Sequence, residues 1–251
     1  MRYLLDISFD GSSFRGYAKQ KHKNTIRDEI EDTLSKMFKQ HISTKATSRT
    51  DSKVHALQFY LIFDLEKVIE ENKLKGAVNK AINKAIYVNK IYQVKQDYVP
   101  RFDVLSKTYT YRINKVYSPL RRNYVYNYKG NINISLLKKA SKHLIGTHDF
   151  TSFCASNSYV TNKVRTISKI KIYKDINNDI CIDITGDGFL YNQVRIIIGT
   201  LLYISNNNLE PDLVLNILNA KDRKKAYDTV PPQGLYLKQT KLGEYKWYTK
   251  E

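Results

Sequence analysis

Cysteine is scarce in this sequence of 251 residues, which holds only two, Cys154 and Cys181. They lie far apart, and neither is part of a C-x-x-C pair or of a histidine spacing that would complete a zinc site. No zinc site is therefore predicted, and the reducing cytosol is the expected compartment. Residues 1–9 are strand-like and lack the apolar core of a signal peptide, so export is not expected either.

Long apolar runs and phosphate-binding glycine loops are missing as well. The longest apolar stretch, residues 196–204, is interrupted by Gly199, Thr200 and Tyr203, and it falls well short of the about 20 residues that cross a bilayer. It predicts a core helix and no membrane association. No G-K-[ST] loop and no G-x-S-x-G turn is present, so no cofactor, no metal and no hydrolytic chemistry is predicted.

Acidic residues are few relative to basic ones. The chain has 24 Asp and Glu against 42 Lys and Arg, a formal net charge of +18, and a sequence pI near 9.6. The basic residues are spread over nearly every segment rather than gathered in a tail, which favours a folded surface that follows phosphates. A nucleic acid is therefore the expected partner.

Hydrophobic periodicity predicts alternating strands and helices in the first 93 residues. Residues 3–9 alternate as a half-buried strand, and apolar residues at helical spacing predict a helix over 26–38, capped by Asn24 or Thr25. A strand at 57–65, a helix at 74–86 and a strand at 87–93 follow.

The segment 98–103 carries Pro100, the first proline of the chain, and predicts a boundary between units at 1–103 and 104–251. The expected fold class is α+β, with two similar halves, each an antiparallel or mixed sheet backed by helices, and a basic RNA-binding cleft between them. The second half is predicted to contain a strand at 106–115, a helix at 135–145, a hairpin over 163–185, and helices at about 190–205 and 211–220.

Residues 48–56, which read S-R-T-D-S-K-V-H-A, place charged and hydrogen-bonding groups directly before an apolar strand. Binding and catalytic groups are often carried on loops that rigid elements hold in place. Asp51, flanked by a guanidinium, a hydroxyl and an imidazole, is the best single candidate for chemistry. An Asp in a polar loop is also a common turn or cap residue, so the local pattern leaves both readings open.

Arg195 lies in a helix among apolar residues with few polar neighbours. A guanidinium in such surroundings needs a partner, because burying a lone charge is strongly unfavourable. The pattern alone is equally consistent with a structural ion pair and with a functional one.

Residues 48–56 resemble the active-site loop of the TruA family of tRNA pseudouridine synthases, whose pattern is G-R-T-D-A-G-V-H-A. Ser48 and Lys53 stand where that pattern has glycine. Other passages resemble further motifs of the family and extend the resemblance over most of the chain: residues 9–11 with 14–20, 101–103, 106–111, 148–153, 186–201 and 231–237.

The resemblance implies the pseudouridine synthase fold and a set of site residues. Asp51 would be the catalytic carboxylate, and Arg195 its partner, holding it anionic at neutral pH as suits a nucleophile. Tyr109 would stack on the target uracil and could assist removal of the proton at C5. Arg49 would help to hold the nucleotide out of its stack, although alone it could equally be a phosphate clamp.

Three further residues receive weaker assignments. If the position of Lys53 requires a positive φ, the lysine would cost on the order of 1 kcal/mol in backbone strain, and its ammonium could add a phosphate contact. Arg101, in the R-F-D passage, is expected to bind substrate. His55 lies beside an apolar strand and is assigned to support of the site loop.

The implied function is isomerisation of uridine to pseudouridine in tRNA, at positions 38, 39 and/or 40 of the anticodon stem-loop, by a cytoplasmic homodimer without a cofactor. Asp51 would attack the ribose C1′, attack the uracil ring, or stabilise a sugar intermediate, and the sequence leaves these open. One alternative is a tRNA-binding protein or RNA chaperone with little or no synthase activity. The other is a paralogue with a different target uridine.

Overall fold

The structure, a computed structural model, describes residues 1–243, and the chain divides into two compact units. Among the described residues, the first unit contains Met1–Leu105 together with residues 236–243, and the second contains Ser106–Leu235. The end of the predicted second half, residues 244–251, lies outside the described residues. Both units combine a sheet with helices, so the predicted α+β class is confirmed.

In chain order the helices and strands are β1 (Arg2–Phe9), α1 (Ile26–Phe38), β2 (Lys45–Ala46), β3 (His55–Asp64), α2 (Glu71–Ala81), β4 (Ile86–Val94), β5 (Val104–Asn114), β6 (Tyr126–Asn127), α3 (Ile134–Lys142), β7 (Gly146–Asp149), β8 (Val164–Lys174), β9 (Ile180–Gly186), α4 (Gln193–Asn206), α5 (Leu213–Ala220) and β10 (Leu235–Leu242).

The sheet of the first unit has the order β4-β1-β3-β10, with β2 beside β3. Its pairs are antiparallel except for β10, which runs parallel to β3 and places Tyr236 beside His55. Helix α2 packs on β4 and on α1. The sequence does not predict β10. From Tyr236 onward this strand belongs to the first unit, whereas the predicted division places residues 104–251 together in the second half.

The prediction that β1 is only half-buried is wrong, because its second face is covered too. Leu4 is fully buried and packs with Tyr60, Ile62 and Val94 in a cluster on that face. Asp6, on the same face, is 9% exposed, and burial raises the pKa of its carboxyl, although hydrogen bonds from Asn89 and Gln58 oppose the rise.

The predicted helix over 74–86 is too long, since α2 ends at Ala81. Ile82 is already in an extended conformation, and Ile86 begins β4, where it pairs with Phe9. Leu74, Val78, Ile82 and Ile86 recur every four residues, so the apolar spacing of a helix continues beyond the point where the chain turns into a strand.

The sheet of the second unit has the order β5-β9-β8-β7, with β6 parallel to the end of β5. The hairpin of β8 and β9 confirms the predicted one. Helix α3 packs on β8 and α4, and α5 packs on α3 and α4. Most residues of α4 are buried, which confirms the predicted core helix. No helix within residues 1–243 is long and apolar enough to cross a membrane.

A buried carboxylate joins α1 to the segments around the Asp51 loop. Glu31 Oε1 accepts hydrogen bonds from Thr44 N (2.6 Å) and Arg27 Nε (2.7 Å), and Oε2 pairs with Lys19 Nζ at 2.6 Å. Burial raises the pKa of Glu31, but the bonds from Lys19, Arg27 and Thr44 together outweigh it and hold the pKa below its ordinary value.

A depressed carboxyl pKa predicts stability that is present at neutral pH and lost as the pH falls through the folded-state pKa. Glu31→Gln is therefore expected to destabilise the protein by about 2 kcal/mol at neutral pH, because it removes charged hydrogen bonds. The difference from wild type should shrink in acid, where Glu31 itself is protonated. Thermal unfolding of both proteins from about pH 7 to about pH 3 measures this, and a difference independent of pH would contradict it.

Candidate active site

Asp51 lies half-buried in the loop 47–54, between the paired strands β2 and β3. The backbone N–H of Val54 donates to the carbonyl of Asp51 at 3.2 Å and closes the loop immediately before His55. Ser48 and Thr50 are buried and the intervening Arg49 is exposed, so the backbone presents Arg49 to solvent. The buried hydroxyls of Ser48 and Thr50 have no hydrogen-bond partner among the described residues.

A second loop, residues 10–17, holds the Asp51 loop from one side. Tyr17 N donates to Thr50 O (3.0 Å), Lys53 N donates to Phe14 O (3.2 Å), and the Ser52 hydroxyl donates to the same Phe14 oxygen at 3.3 Å. These bonds fix the backbone on both sides of Asp51. A fixed backbone is what a catalytic carboxylate needs, because small misplacements of a reacting group are costly.

Two glycines make this close approach possible. A Cβ at Gly11 would lie 2.0 Å from Val54 O, and one at Gly16 would lie 2.6 Å from Thr50 O. Gly16 also has a φ of +92°, which residues with a side chain rarely adopt. The sequence does not reveal this role of Gly11 and Gly16, since nothing close to them along the chain points to residues 50–54.

His55 is buried and joins the two loops to β10. Its Nδ1 lies 3.2 Å from the Gly11 N–H, from which it accepts, and 3.2 Å from Asp10 Oδ1. Its ring stacks on Tyr236, with centroids 4.6 Å apart. These contacts fit the predicted support of the site loop.

Lys53 has a φ of 63°, in the left-handed region where glycine is at ease and a lysine is strained. The family pattern has glycine here, and the structure gives the conformational reason. The Lys53 side chain is exposed. Lys39, at the end of α1, has a similar φ of 51° and offers a matched comparison.

Lys53→Gly is expected to raise stability by up to about 1 kcal/mol by relieving this strain. If the ammonium contacts a phosphate, the change should also weaken tRNA binding and reduce the slope of log affinity against log salt by about 1. Lys39→Gly should relieve the same strain without changing the slope. Urea unfolding and tRNA binding at several salt concentrations measure both, and equal slopes in the two variants would remove Lys53 from the RNA contacts.

Arg101 lies in a short 3-10 turn, Pro100–Phe102, and is exposed. The residues on either side of the turn are joined to each other, because the Tyr98 hydroxyl donates a hydrogen bond to Asp103 Oδ2 at 3.0 Å. Arg49, Asp51 and Lys53 share the loop 47–54 of the first unit, and His55 begins β3 directly after it. Arg101 lies on a separate segment of that unit.

The second unit holds the other two predicted residues. Arg195 is in the first turn of α4 and is half-buried, with Nε donating to Val230 O and Nη1 donating to Asn192 Oδ1, both at 2.7 Å. These bonds fix the guanidinium and show that its surroundings include polar partners, as a charge among apolar residues requires.

Tyr109 lies in β5 and is 9% exposed. Its ring meets the ring of Phe189 edge to face, with centroids 5.2 Å apart. Phe189 and Arg195 belong to the same motif, residues 186–195, so within the second unit one motif supplies Arg195 and orients Tyr109. Among residues 1–243, no group of three or more His, Cys, Asp or Glu residues is arranged to hold a metal ion.

Comparison with known proteins gives a consistent match. The sequence model of a family described as tRNA pseudouridine synthase matches residues 7–103 and 140–241. The chain is 40% identical over 240 residues to tRNA pseudouridine synthase A 2 of Clostridium tetani, a match that covers 94% of this chain and 96% of the relative. It is 40% identical over 240 residues to tRNA pseudouridine synthase A of Listeria monocytogenes, covering 94% and 97%. It is 37% identical over 248 residues to the enzyme of that name from Limosilactobacillus reuteri, covering 96% and 97%.

Proposed function

We propose that this chain acts at positions 38, 39 and/or 40 of the anticodon stem-loop of tRNA. The chain belongs to the tRNA pseudouridine synthase family and is an isomerase that converts uridine to pseudouridine in tRNA. In this reaction the bond between N1 of uracil and C1′ of ribose breaks, the base rotates, and C5 joins C1′. The proton leaves C5 and N1 gains one, so substrate and product are isomers. The reaction as written needs no cofactor.

One observation carries the assignment of the catalytic group. Asp51 sits half-buried on a loop whose backbone donates a hydrogen bond to the Phe14 carbonyl and accepts one from the Tyr17 N–H, with exposed basic residues, Arg49 and Lys53, on either side of it. A fixed carboxylate flanked by groups that attract phosphate suits chemistry on a nucleotide. Asp51 attacks the ribose C1′, attacks the uracil ring, or stabilises a sugar intermediate.

The other site residues receive roles that rest on the family resemblance. Tyr109 stacks on the target uracil, and the Phe189 contact that orients its ring supports this role. Arg195 keeps the catalytic carboxylate anionic, and its bonds to Val230 and Asn192 support a fixed guanidinium. On this proposal the first unit carries Asp51, and the second carries the tyrosine and arginine that act in the same reaction.

The remaining assignments concern the polynucleotide. Arg49 holds the flipped nucleotide out of its stack, and Lys53 and Arg101 contact phosphates, which their exposure supports. His55 supports the loop through its contacts with Gly11 and Tyr236. Flipping a base costs a few kcal/mol, and the +18 charge of the chain offsets that cost through contacts along the tRNA.

We further propose that the protein acts as a cytoplasmic homodimer in which one tRNA touches both subunits. Sedimentation of the protein alone and with one equivalent of tRNA tests the assembly. A dimer that binds one tRNA is the expected result, whereas an active monomer would contradict the proposal.

Mapping the product tests the target position. Transcripts of one tRNA carrying a single uridine at position 38, 39 or 40, with cytidine at the other two, are treated with the enzyme and then with a carbodiimide that marks pseudouridine for primer extension. A stop at one or more of these positions, and none in a transcript lacking uridine at all three, is expected. Pseudouridine only outside positions 38 to 40 would identify a synthase with a different target.

A further inference from the structure

One loop of the second unit combines positive charge with exposed apolar side chains. Residues 104–148 contain nine Lys and Arg and no Asp or Glu. Within this stretch the loop 115–125, between β5 and β6, exposes Val116, Tyr117 and Leu120, which are 79%, 62% and 86% accessible. Large apolar side chains on a protein surface usually stand singly, so three in one basic loop mark an interaction surface.

A cavity of about 190 Å³ lies against this loop, and we name it the loop pocket. It is smaller than the roughly 300–1,000 Å³ typical of sites for drug-sized ligands, so it is suited to a single base or ribose. Its lining contains no carboxylate side chain among the described residues, and it belongs wholly to the second unit. The lining includes Asn114, Tyr117, Arg122, Tyr126, Asn127 and Gln233.

Hydrogen bonds hold the walls of the loop pocket in place. Asn127 Nδ2 donates to Asn114 Oδ1 at 3.1 Å, and Asn114 Nδ2 donates to Val116 O at 2.8 Å. Arg121 donates from both terminal nitrogens to the buried carboxylate of Asp179, which ties the loop to the start of β9. A site that is ordered before binding loses less conformational entropy when the ligand arrives.

We infer that the loop pocket binds one unstacked nucleotide of the tRNA substrate, with its base stacked on Tyr117 and its phosphate on Arg122. The amide groups of Asn127 and Gln233 are placed to bond the edge of that base. Aromatic stacking with polar contacts to exposed base edges is the usual way in which proteins hold single-stranded nucleotides. Arginine suits the phosphate because its planar fork matches phosphate geometry.

Charge and the proposed reaction make tRNA the occupant rather than another protein. The loop lies in the acid-free stretch, so it complements a polyanion, and the reaction supplies tRNA as the ligand. Most of the pocket lining falls in residues 104–139, between the two segments that the family model matches, so the family match does not itself assign this pocket. The inference deepens the proposed function and rests on it for the identity of the RNA.

Tyr117→Ala is expected to weaken tRNA binding about tenfold, within the range that removal of a base-stacking ring produces. Tyr117→Phe should bind as wild type does, because stacking uses the ring and not the hydroxyl. Arg122→Ala should weaken binding and reduce the salt slope by about 1. The measurement is fluorescence anisotropy of labelled tRNA at several salt concentrations, with steady-state kinetics in which the loss should appear in KM.

Ile176→Ala is the matched control. Ile176 is fully exposed in the same unit but sits in the turn 175–179, beside Asp175, where a phosphate is not expected. Its truncation should leave tRNA affinity unchanged. Circular dichroism and thermal unfolding confirm that each variant is folded.

Three results would overturn the inference. The first is that folded Tyr117→Ala binds tRNA within about twofold of wild type. The second is that Tyr117→Phe and Tyr117→Ala lose the same amount of tRNA affinity. The third is that Tyr117→Ala no longer forms a dimer while its RNA affinity is unchanged. The last would assign the loop to a second copy of the chain.

If Tyr117→Ala does not fold, cross-linking of wild type decides the question. Transcripts containing 4-thiouridine are irradiated with the wild-type protein, and tryptic peptides are examined by mass spectrometry. Recovery of peptide 116–121 with an attached nucleotide supports the inference, and its absence among the cross-linked peptides overturns it. Binding and cross-linking do not depend on where pseudouridine forms, so failure of the proposed target position and failure of the loop pocket are separable.

Discussion

Replacing Asp51 with Asn is expected to slow pseudouridine formation by about 10³-fold or more, while tRNA affinity stays within about twofold of wild type. Asn keeps the size of the side chain but lacks the charge that a nucleophile or a stabiliser of a sugar cation requires. The bond that closes the loop, from Val54 N–H, uses the backbone carbonyl of residue 51, which the variant retains. Single-turnover release of tritium from uracil C5, together with tRNA binding, measures both effects.

Asp32→Asn provides the matched control. Asp32 lies on the exposed side of α1, in the same unit, and its replacement removes the same charge away from the loop. It should alter neither rate nor affinity. Equal activity in Asp51→Asn would remove Asp51 from the mechanism, and a parallel loss of tRNA binding would assign it to binding rather than to chemistry.

Gly199→Ala is expected to destabilise the protein by about 3 kcal/mol and to lower activity as well. A Cβ at Gly199 would lie 1.8 Å from Asp228 O, so the backbone of 228–230 must move away from α4. Val230 O is the acceptor for Arg195 Nε, and its displacement would disturb the guanidinium. Urea unfolding gives the loss of stability, and tritium release gives the loss of rate.

Gly76→Ala is the control, because it is expected to raise the free energy of unfolding whereas Gly199→Ala lowers it. Gly76 lies inside α2, and a Cβ there would meet nothing within 4 Å. Alanine should therefore stabilise the helix by about 0.5–1 kcal/mol through its higher helix propensity. Stabilisation by both substitutions would show that α4 does not require the close approach to residue 228.

Local sequence patterns predict the elements whose stabilising contacts are themselves local. Helix α1 has the predicted bounds because its end signals are close in sequence: Thr25 accepts from Asp28 N, and Asp28 Oδ2 accepts from Thr25 N. The same reasoning fails where distant contacts decide. Strand β10 forms by pairing with β3, about 180 residues away, and a pattern within ten residues does not reveal that pairing.

In the site, too, local sequence predicts some features and distant contacts determine the others. The motif at residues 48–56 predicts the loop that carries Asp51, and the glycine that the family pattern has at the position of Lys53 predicts the positive φ found there. The support of that loop was not predictable from the motif. It depends on the contact of Gly11 and Gly16 with the backbone of 50–54 and on the stack of His55 with Tyr236, which only folding brings together.

Tritium release tests most directly whether the protein is a synthase that uses Asp51. The tRNA transcripts carry tritium at uracil C5 of a single uridine, placed at position 38, 39 or 40, or at one position in the D-arm as control. Wild type is expected to release tritium from one or more of the labels at positions 38 to 40 and not from the control, and Asp51→Asn to release none. No release by wild type from any transcript, despite tight and salt-sensitive binding, would contradict synthase activity and favour a tRNA-binding protein without it.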